Sequence, residues 1–292
     1  MIAIIGPGAI GGTLAFALSA RHEVVICANQ AFETLAITRV QTRERQTVPA
    51  QVQTSPAAAK PVDWVLVCVK SHQTPAVAGW LKALVGKNTR VAVLQNGVEH
   101  RERVAPLVPI GTTIVPVVVA LPAERVAPGE IEMHGGAQLT VPDDDASHEF
   151  VGLFDGTFVK ASTDRDFKTR VWEKLCLNCA GGALSALTLR PDALASTPEM
   201  TALGVRFIQE TMAVGAAEGA KFADDLVEQL VAMQTSHRVA RGNSMYYDRR
   251  DGKPLEWDAR NGVVQRLGRK HGIPTPISDV IVPILRSMSP KA

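Results

Sequence analysis

Ile2-Ala3-Ile4-Ile5, followed by Gly6-Pro7-Gly8-Ala9-Ile10-Gly11 and an apolar run over residues 10–18, is the stretch whose reading decides the fold. Four consecutive apolar residues ending on a glycine predict a buried strand that turns sharply into a helix. In that turn Gly6 allows the tight reversal, Gly8 lets the backbone approach a pyrophosphate, and Gly11 lets the helix pack closely on the sheet. The unpaired N–H groups at the start of the helix then face the phosphates. Gly6, Pro7, Gly8, Ala9, Ile10 and Gly11 are therefore candidate binding residues for a dinucleotide. A glycine turn that merely joins strand and helix would carry the same letters; the strand and helix flanking this one argue for the phosphate site.

Outward from this start the alternation continues. Residues 24–27, 64–69 and 91–94 read as further buried strands, with a helical run over 76–84. Residues 112–119 and 131–141 read as extended, and Pro128-Gly129 marks a turn between them. Beyond about residue 166 helices take over, at 169–187, 198–219, 223–241, 256–271 and 277–288, with Gly272 and Pro274 closing the fourth of these. The expectation is an α/β chain: a Rossmann-type doubly wound NAD(P)-binding domain over residues 1–165, then an all-helical substrate-binding and catalytic domain over 166–292, with the active site in a cleft between them.

Composition narrows the function classes. A length of 292 residues with 46% hydrophobic residues suits two packed domains. Lys plus Arg number 31 against 29 for Asp plus Glu, and the resulting +2 gives no general field to draw nucleic acid or an anionic membrane. The longest apolar stretch, residues 114–121, is interrupted by Pro116 and too short to span a bilayer. No basic leader precedes the apolar start, so a cytoplasmic location is expected. Cys176 and Cys179 form a C-x-x-C spacing inside an apolar helical segment; without a second pair, buried helix cysteines are the better reading, and no metal site is expected.

Several residues could carry chemistry. Lys70 and Gln95-Asn96-Gly97 directly follow strands, where an open parallel sheet meets its ligands, although, each taken alone, a loop lysine and an Asn-Gly turn account for them better. Lys174, Asn178 and Gly181 or Gly182 fall on one helix face. Two helical glycines cost about 1 kcal/mol each relative to alanine, which calls for a close contact with a ligand or the other domain. Glu256 reads as an acid near a helix start, and Ser244 as a helix cap. Spacing alone does not unite these residues.

Order does. Gly6-Pro7-Gly8-Ala9-Ile10-Gly11, Val69-Lys70, Gln95-Asn96-Gly97, the run from Trp172 to Asn178, Asn243-Ser244-Met245 with Asp248, and Glu256-Trp257-Asp258 with Asn261-Gly262 together resemble the 2-dehydropantoate 2-reductase (ketopantoate reductase) family across nearly the whole chain. The resemblance implies reduction of 2-dehydropantoate to pantoate, in pantothenate and coenzyme A synthesis, with NADPH as cofactor, a small 2-oxo acid as substrate, and a homodimer. Lys174 would be the general acid, as an ordinary lysine of pKa about 10.4, and Glu256 would orient it. Asn96, Asn178 and Ser244 would bind substrate; Lys70 would stand near the nicotinamide, with Asn96 also bordering the cofactor.

Three positions depart from the family pattern. Asn29 stands where an arginine commonly meets the 2′-phosphate of NADP. Residues 27–30 nevertheless lack the carboxylate that an NAD site would use, and Arg39, Arg43 or Arg45 could reach a phosphate, so NADP is favoured and NAD stays open. Gly182 and Asp192 replace asparagines expected to touch the substrate, which leaves open a paralogue acting on another 2-oxo or 2-hydroxy acid. A non-enzymatic nicotinamide-binding regulator is the rival of a different class, and Lys174, Asn178, Ser244 and Glu256 argue against it.

Overall fold

β1 (Ile2–Ile5) is buried along its whole length in the computed structural model of the chain, which describes residues 1–235 and 242–290. A strand covered on both faces needs apolar residues at every position, and this one has them. The chain turns into α1 (Ala9–Ser19) and returns in β2 (Val24–Cys27). A hairpin of β3 (Thr34–Arg39) and β4 (Glu44–Pro49) precedes the short β5 (Val52–Gln53). β6 (Trp64–Val67), α2 (Ala78–Leu84), β7 (Arg90–Val93), α3 (His100–Val104) and β8 (Thr113–Pro116) complete a six-stranded parallel sheet of order β5-β2-β1-β6-β7-β8. That is the doubly wound order of a Rossmann sheet. Alternate residues feed opposite cores: Ile2, Ile4, Trp64 and Leu66 enter one, Ala3, Ile5, Val65 and Val67 the other.

Five more strands follow, β9 (Val118–Ala120), β10 (Ala123–Ala127), β11 (Glu130–Met133), β12 (Ala137–Pro142) and, after α4 (Asp145–Gly152), β13 (Val159–Asp164). They build a four-stranded sheet β10-β11-β3-β4 and a three-stranded sheet β13-β12-β9. The single extended segments expected at 112–119 and 131–141 are each two strands. The first breaks after Pro116, which has no N–H to continue a ladder, and the second at His134-Gly135-Gly136.

The remaining elements are helical: α5 (Phe167–Thr188), α6 (Pro198–Ala217), α7 (Leu226–Thr235), α8 (Ser244–Arg250), α9 (Val263–His271) and α10 (Pro276–Met288). By contacts the chain forms two compact units, Met1–Gln95 with Glu99–Phe167, and Lys168–Ala292 with the three-residue loop Asn96–Val98. The helix expected over 223–241 begins at Leu226, and residues 236–241 lie outside the described residues. The helix expected over 256–271 is not continuous: Asp258–Gly262 is a π-helical turn, in which the Gly262 N–H donates to the Trp257 carbonyl at 2.9 Å, and α9 starts after it. Gly272 ends α9 with φ +67, and the N–H of Ile273 returns to the Gly268 carbonyl at 2.8 Å, the closure that a glycine stop predicts.

One helix start is capped from a distance. Glu210 of α6 accepts from the backbone N–H groups of Ile277 (2.8 Å) and Ser278 (2.9 Å) and from the Ser278 hydroxyl (2.6 Å), so a buried carboxylate meets the N-terminus of α10. Its charge suits the positive end of the helix and satisfies donors that would otherwise be buried unpaired. Among the described residues no helix is long and apolar enough to cross a membrane.

Candidate active site

In the sheet unit the three motif glycines are glycines for different reasons. Gly6 has φ +91, and a Cβ there would fall 2.6 Å from Val69 Cγ1; a Cβ on Gly11 would overlap the Gly6 carbonyl oxygen. These two make the turn possible. A Cβ on Gly8 would meet nothing within 4 Å, so this position faces open space rather than protein. α1 then begins at Ala9 with no side-chain cap and no acidic residue in its first turn. Bare helix N–H groups beside an open glycine form a cradle that fits a pyrophosphate.

Lys70 is half-buried and adjoins Val69, the residue packed on Gly6. Gln95 is buried and fixes the loops around it: its Nε2 donates to the Val69 carbonyl (3.1 Å) and to Thr74 Oγ1 (2.8 Å), and its own carbonyl accepts from His100 Nε2 at 2.9 Å. Asn29 is exposed two residues past the end of β2. The candidate arginines lie towards the tip of the β3–β4 hairpin. Arg39 pairs with Glu44 at 3.2 Å and Arg45 with Glu130 at 2.6 Å, while Arg43 sits in the connecting turn at φ +58.

In the helical unit α5 carries Lys174, Asn178 and Gly182 one turn apart on a common face. Glu256, at 2% exposure, accepts from Asn96 Nδ2 at 2.8 Å, which joins residues 160 apart in sequence. Gly97, at φ +98, lets the chain reverse beside Asn96. Arg260 in the π-helical turn is equally buried at 2%, lies 3.9 Å from Glu256 Oε2, and donates from Nη2 to Ser244 Oγ at 2.6 Å. The structure thus links Asn96, Glu256, Arg260 and Ser244 in one chain of polar contacts. Ser244 is exposed and is not a cap; Asn243 holds that position, accepting from the N–H groups of Met245 (3.0 Å) and Tyr246 (3.1 Å). Asn243 also donates to the Gly181 carbonyl (3.0 Å) and Ser185 Oγ (2.7 Å), which ties α8 to α5.

Lys174 is not the ordinary lysine that the sequence suggests. Burial first, and then the positive charge of Arg260, press its pKa down to about 8, while the carboxylate of Glu256 pulls it back up. A lysine balanced near neutrality can both give and take a proton. Close neighbours of the two helical glycines lie within the helical unit itself. A Cβ on Gly181 would overlap Gln234 Oε1, and one on Gly182 would fall 2.8 Å from Arg260 Nη1. Asp192 faces Arg190, with a shortest separation of 3.1 Å, and that guanidinium keeps its carboxyl below the usual range. Cys176 and Cys179 are buried free thiols; burial raises both, Cys179 to about 12, so neither supplies a thiolate.

Arg260 is the site residue that sequence reading missed. Its only signal is an arginine amid the apolar periodicity of Ala259 to Val264.

The family model described as ketopantoate reductase PanE/ApbA matches residues 2–145, and its C-terminal counterpart matches residues 166–289. The chain is 43% identical to the 2-dehydropantoate 2-reductase of Caulobacter vibrioides, over 98% of both chains, and 40% identical to that of Mycobacterium tuberculosis, over 99% of this chain and 97% of the other. Among solved structures it is similar to a PanE/ApbA family ketopantoate reductase from Ralstonia eutropha (29% identity, TM-score 0.89, 99% and 98% covered). It is also similar to the dimeric ketopantoate reductase of Staphylococcus aureus (26% identity, TM-score 0.87, 98% of each chain covered).

Proposed function

The chain belongs to the ketopantoate reductase family, and on that premise we propose that it reduces 2-dehydropantoate to pantoate with NADPH, Lys174 serving as the general acid. The observation that carries this reading is the helical-unit cluster: a half-buried lysine of pKa about 8 coupled to a buried carboxylate that also holds Asn96. Like the family, the chain is a pyridine-nucleotide-dependent reductase.

When bound, the reduced nicotinamide supplies the hydride. As the ketone carbon accepts it, negative charge grows on the carbonyl oxygen, and the Lys174 ammonium stabilises and protonates that oxygen. Glu256 keeps the proton on Lys174 against the pull of burial, and through its bond to Asn96 it orients that amide for the substrate. Asn178, one turn from Lys174, can donate to and accept from a substrate hydroxyl, and Ser244 can donate to the carboxylate. The cradle of Gly6, Pro7, Gly8, Ala9, Ile10 and Gly11 would hold the pyrophosphate, with Lys70 as the nearby cation. NADPH is preferred over NADH because Asn29 and Gln30, beyond β2, present no carboxylate for a ribose diol. The assembly is a homodimer in this reading.

Initial rates over a panel of 2-oxo acids with each nucleotide test the assignment. Ketopantoate with NADPH is expected to give the highest kcat/KM. Failure on ketopantoate beside good turnover of another acid would overturn it and favour the second reading, a paralogue, for which Gly182 and Asp192 speak. Glu256→Gln removes the charge that raises the pKa of Lys174. The alkaline fall in kcat/KM for oxo-acid reduction is therefore expected to move to lower pH than in wild type. An unmoved profile would reduce Glu256 to a structural acid.

A further inference from the structure

We infer that Arg260 is a positioning residue that makes Ser244 the receptor for the substrate's carboxylate and so sets the preference for 2-oxo acids over neutral ketones. The inference rests on the function proposed above. Arg260 is among the largest fully buried side chains, and its Nε has no hydrogen-bond partner among the described residues. A buried guanidinium with an unsatisfied N–H is a poor device for stability, since a well-packed apolar side chain at such a site is commonly as stable or more so. Its use lies in what it touches. Within the trio of Lys174, Arg260 and Glu256, the guanidinium stands 3.9 Å from the carboxylate and donates to Ser244 at 2.6 Å, so a cationic group lies directly behind that hydroxyl.

The geometry shows how that charge reaches a ligand. Arg260 is enclosed, whereas Ser244 is exposed, and the 2.6 Å bond from Arg260 Nη2 takes up acceptor capacity on Ser244 Oγ. With a guanidinium donating to its oxygen, the hydroxyl turns its own hydrogen away, as a polarised donor directed at an incoming acceptor. The preference for an anion over a neutral acceptor follows from the charge behind the hydroxyl. Gly182 belongs to the same device: only a residue without Cβ leaves Nη1 its place, since a Cβ there would stand 2.8 Å from Nη1 and 3.3 Å from Met245 Sδ.

The test compares ketopantoate with its methyl ester, using NADPH, in the full-length wild type, Arg260→Met, Arg260→Lys, Ser244→Ala and the Ser244→Ala/Arg260→Met double variant. Arg260→Met is expected to raise KM for the acid roughly 10- to 100-fold, with a smaller change in kcat. The ester shares whatever Arg260→Met changes at Lys174 but not the loss at the carboxylate, so the acid-to-ester ratio of kcat/KM collapses. Arg260→Lys should recover part of that ratio, and Arg260→Met should add little in the Ser244→Ala background. A merely structural role would lower both substrates together. An acid-to-ester ratio unchanged from wild type in Arg260→Met and Arg260→Lys overturns the inference; should Arg260→Met fail to fold, an unchanged ratio in Ser244→Ala does so. If wild type turns over no 2-oxo acid, the proposed function falls and takes this inference with it. Wild-type turnover with unmoved ratios removes the inference alone.

Discussion

Lys174→Ala is expected to lower kcat for ketopantoate reduction by roughly 10²- to 10⁴-fold, the contribution typical of a positioned general acid. Nucleotide affinity should stay near wild type, because the glycine cradle belongs to the sheet unit and Lys174 to the helical one. The lysine's pKa of about 8 adds a signature that a loss of binding would not produce. Reduction needs the ammonium, so wild-type kcat/KM should fall as pH rises through about 8. Oxidation of pantoate needs the neutral amine as base, so that rate should rise through the same value. Lys174→Arg separates charge from proton transfer: guanidinium keeps the positive charge but holds its proton far above neutrality, so oxyanion stabilisation survives while proton donation does not. Near-native turnover by Lys174→Ala would remove the lysine from the chemistry, and a Lys174→Arg variant as active as wild type would show that charge alone suffices.

The parts of this protein legible in its sequence are those that depend on neighbours along the chain. The all-apolar run of β1, the glycine turn, the 3.6-residue spacing of Lys174, Asn178 and Gly182, and the glycine stop at residue 272 are local devices, and local patterns predict them. β4 escaped because its residues are mostly exposed and carry no hydrophobic alternation, so pairing with β3 and not burial makes it a strand. The π-helical turn escaped because its extra residue depends on the placement of Arg260 and Asn261, both buried within the helical unit. The site was legible through family resemblance only as a set of positions. That Glu256 holds Asn96, that Arg260 reaches Ser244 on α8, and that burial with Arg260 and Glu256 sets the proton affinity of Lys174 on α5 depend on contacts between segments apart in sequence. No spacing encodes them.

Gly8→Val is expected to fold normally and to weaken NADPH binding by about 100-fold. The position has φ −72 and ψ −163, extended backbone that valine adopts readily, and a Cβ there meets no protein atom within 4 Å. Nothing in the protein opposes the substitution, so its cost falls on whatever must approach this backbone. Intruding methyl groups into a close-packed contact costs about 1–3 kcal/mol, and at 1.4 kcal/mol per decade the upper end gives the expected loss. Gly11→Val is the contrasting variant. Its Cβ would overlap the Gly6 carbonyl oxygen and crowd Cys68 Cβ at 3.0 Å, so it should lose stability before any nucleotide is added. Thermal melts and nucleotide titrations on the same two proteins separate the cases: an unshifted melt with lost binding for Gly8→Val, a depressed melt for Gly11→Val. A Gly8→Val protein that binds NADPH as tightly as wild type would mean that the phosphates lie elsewhere, and that the opening glycine pattern serves only to pack α1 against β1.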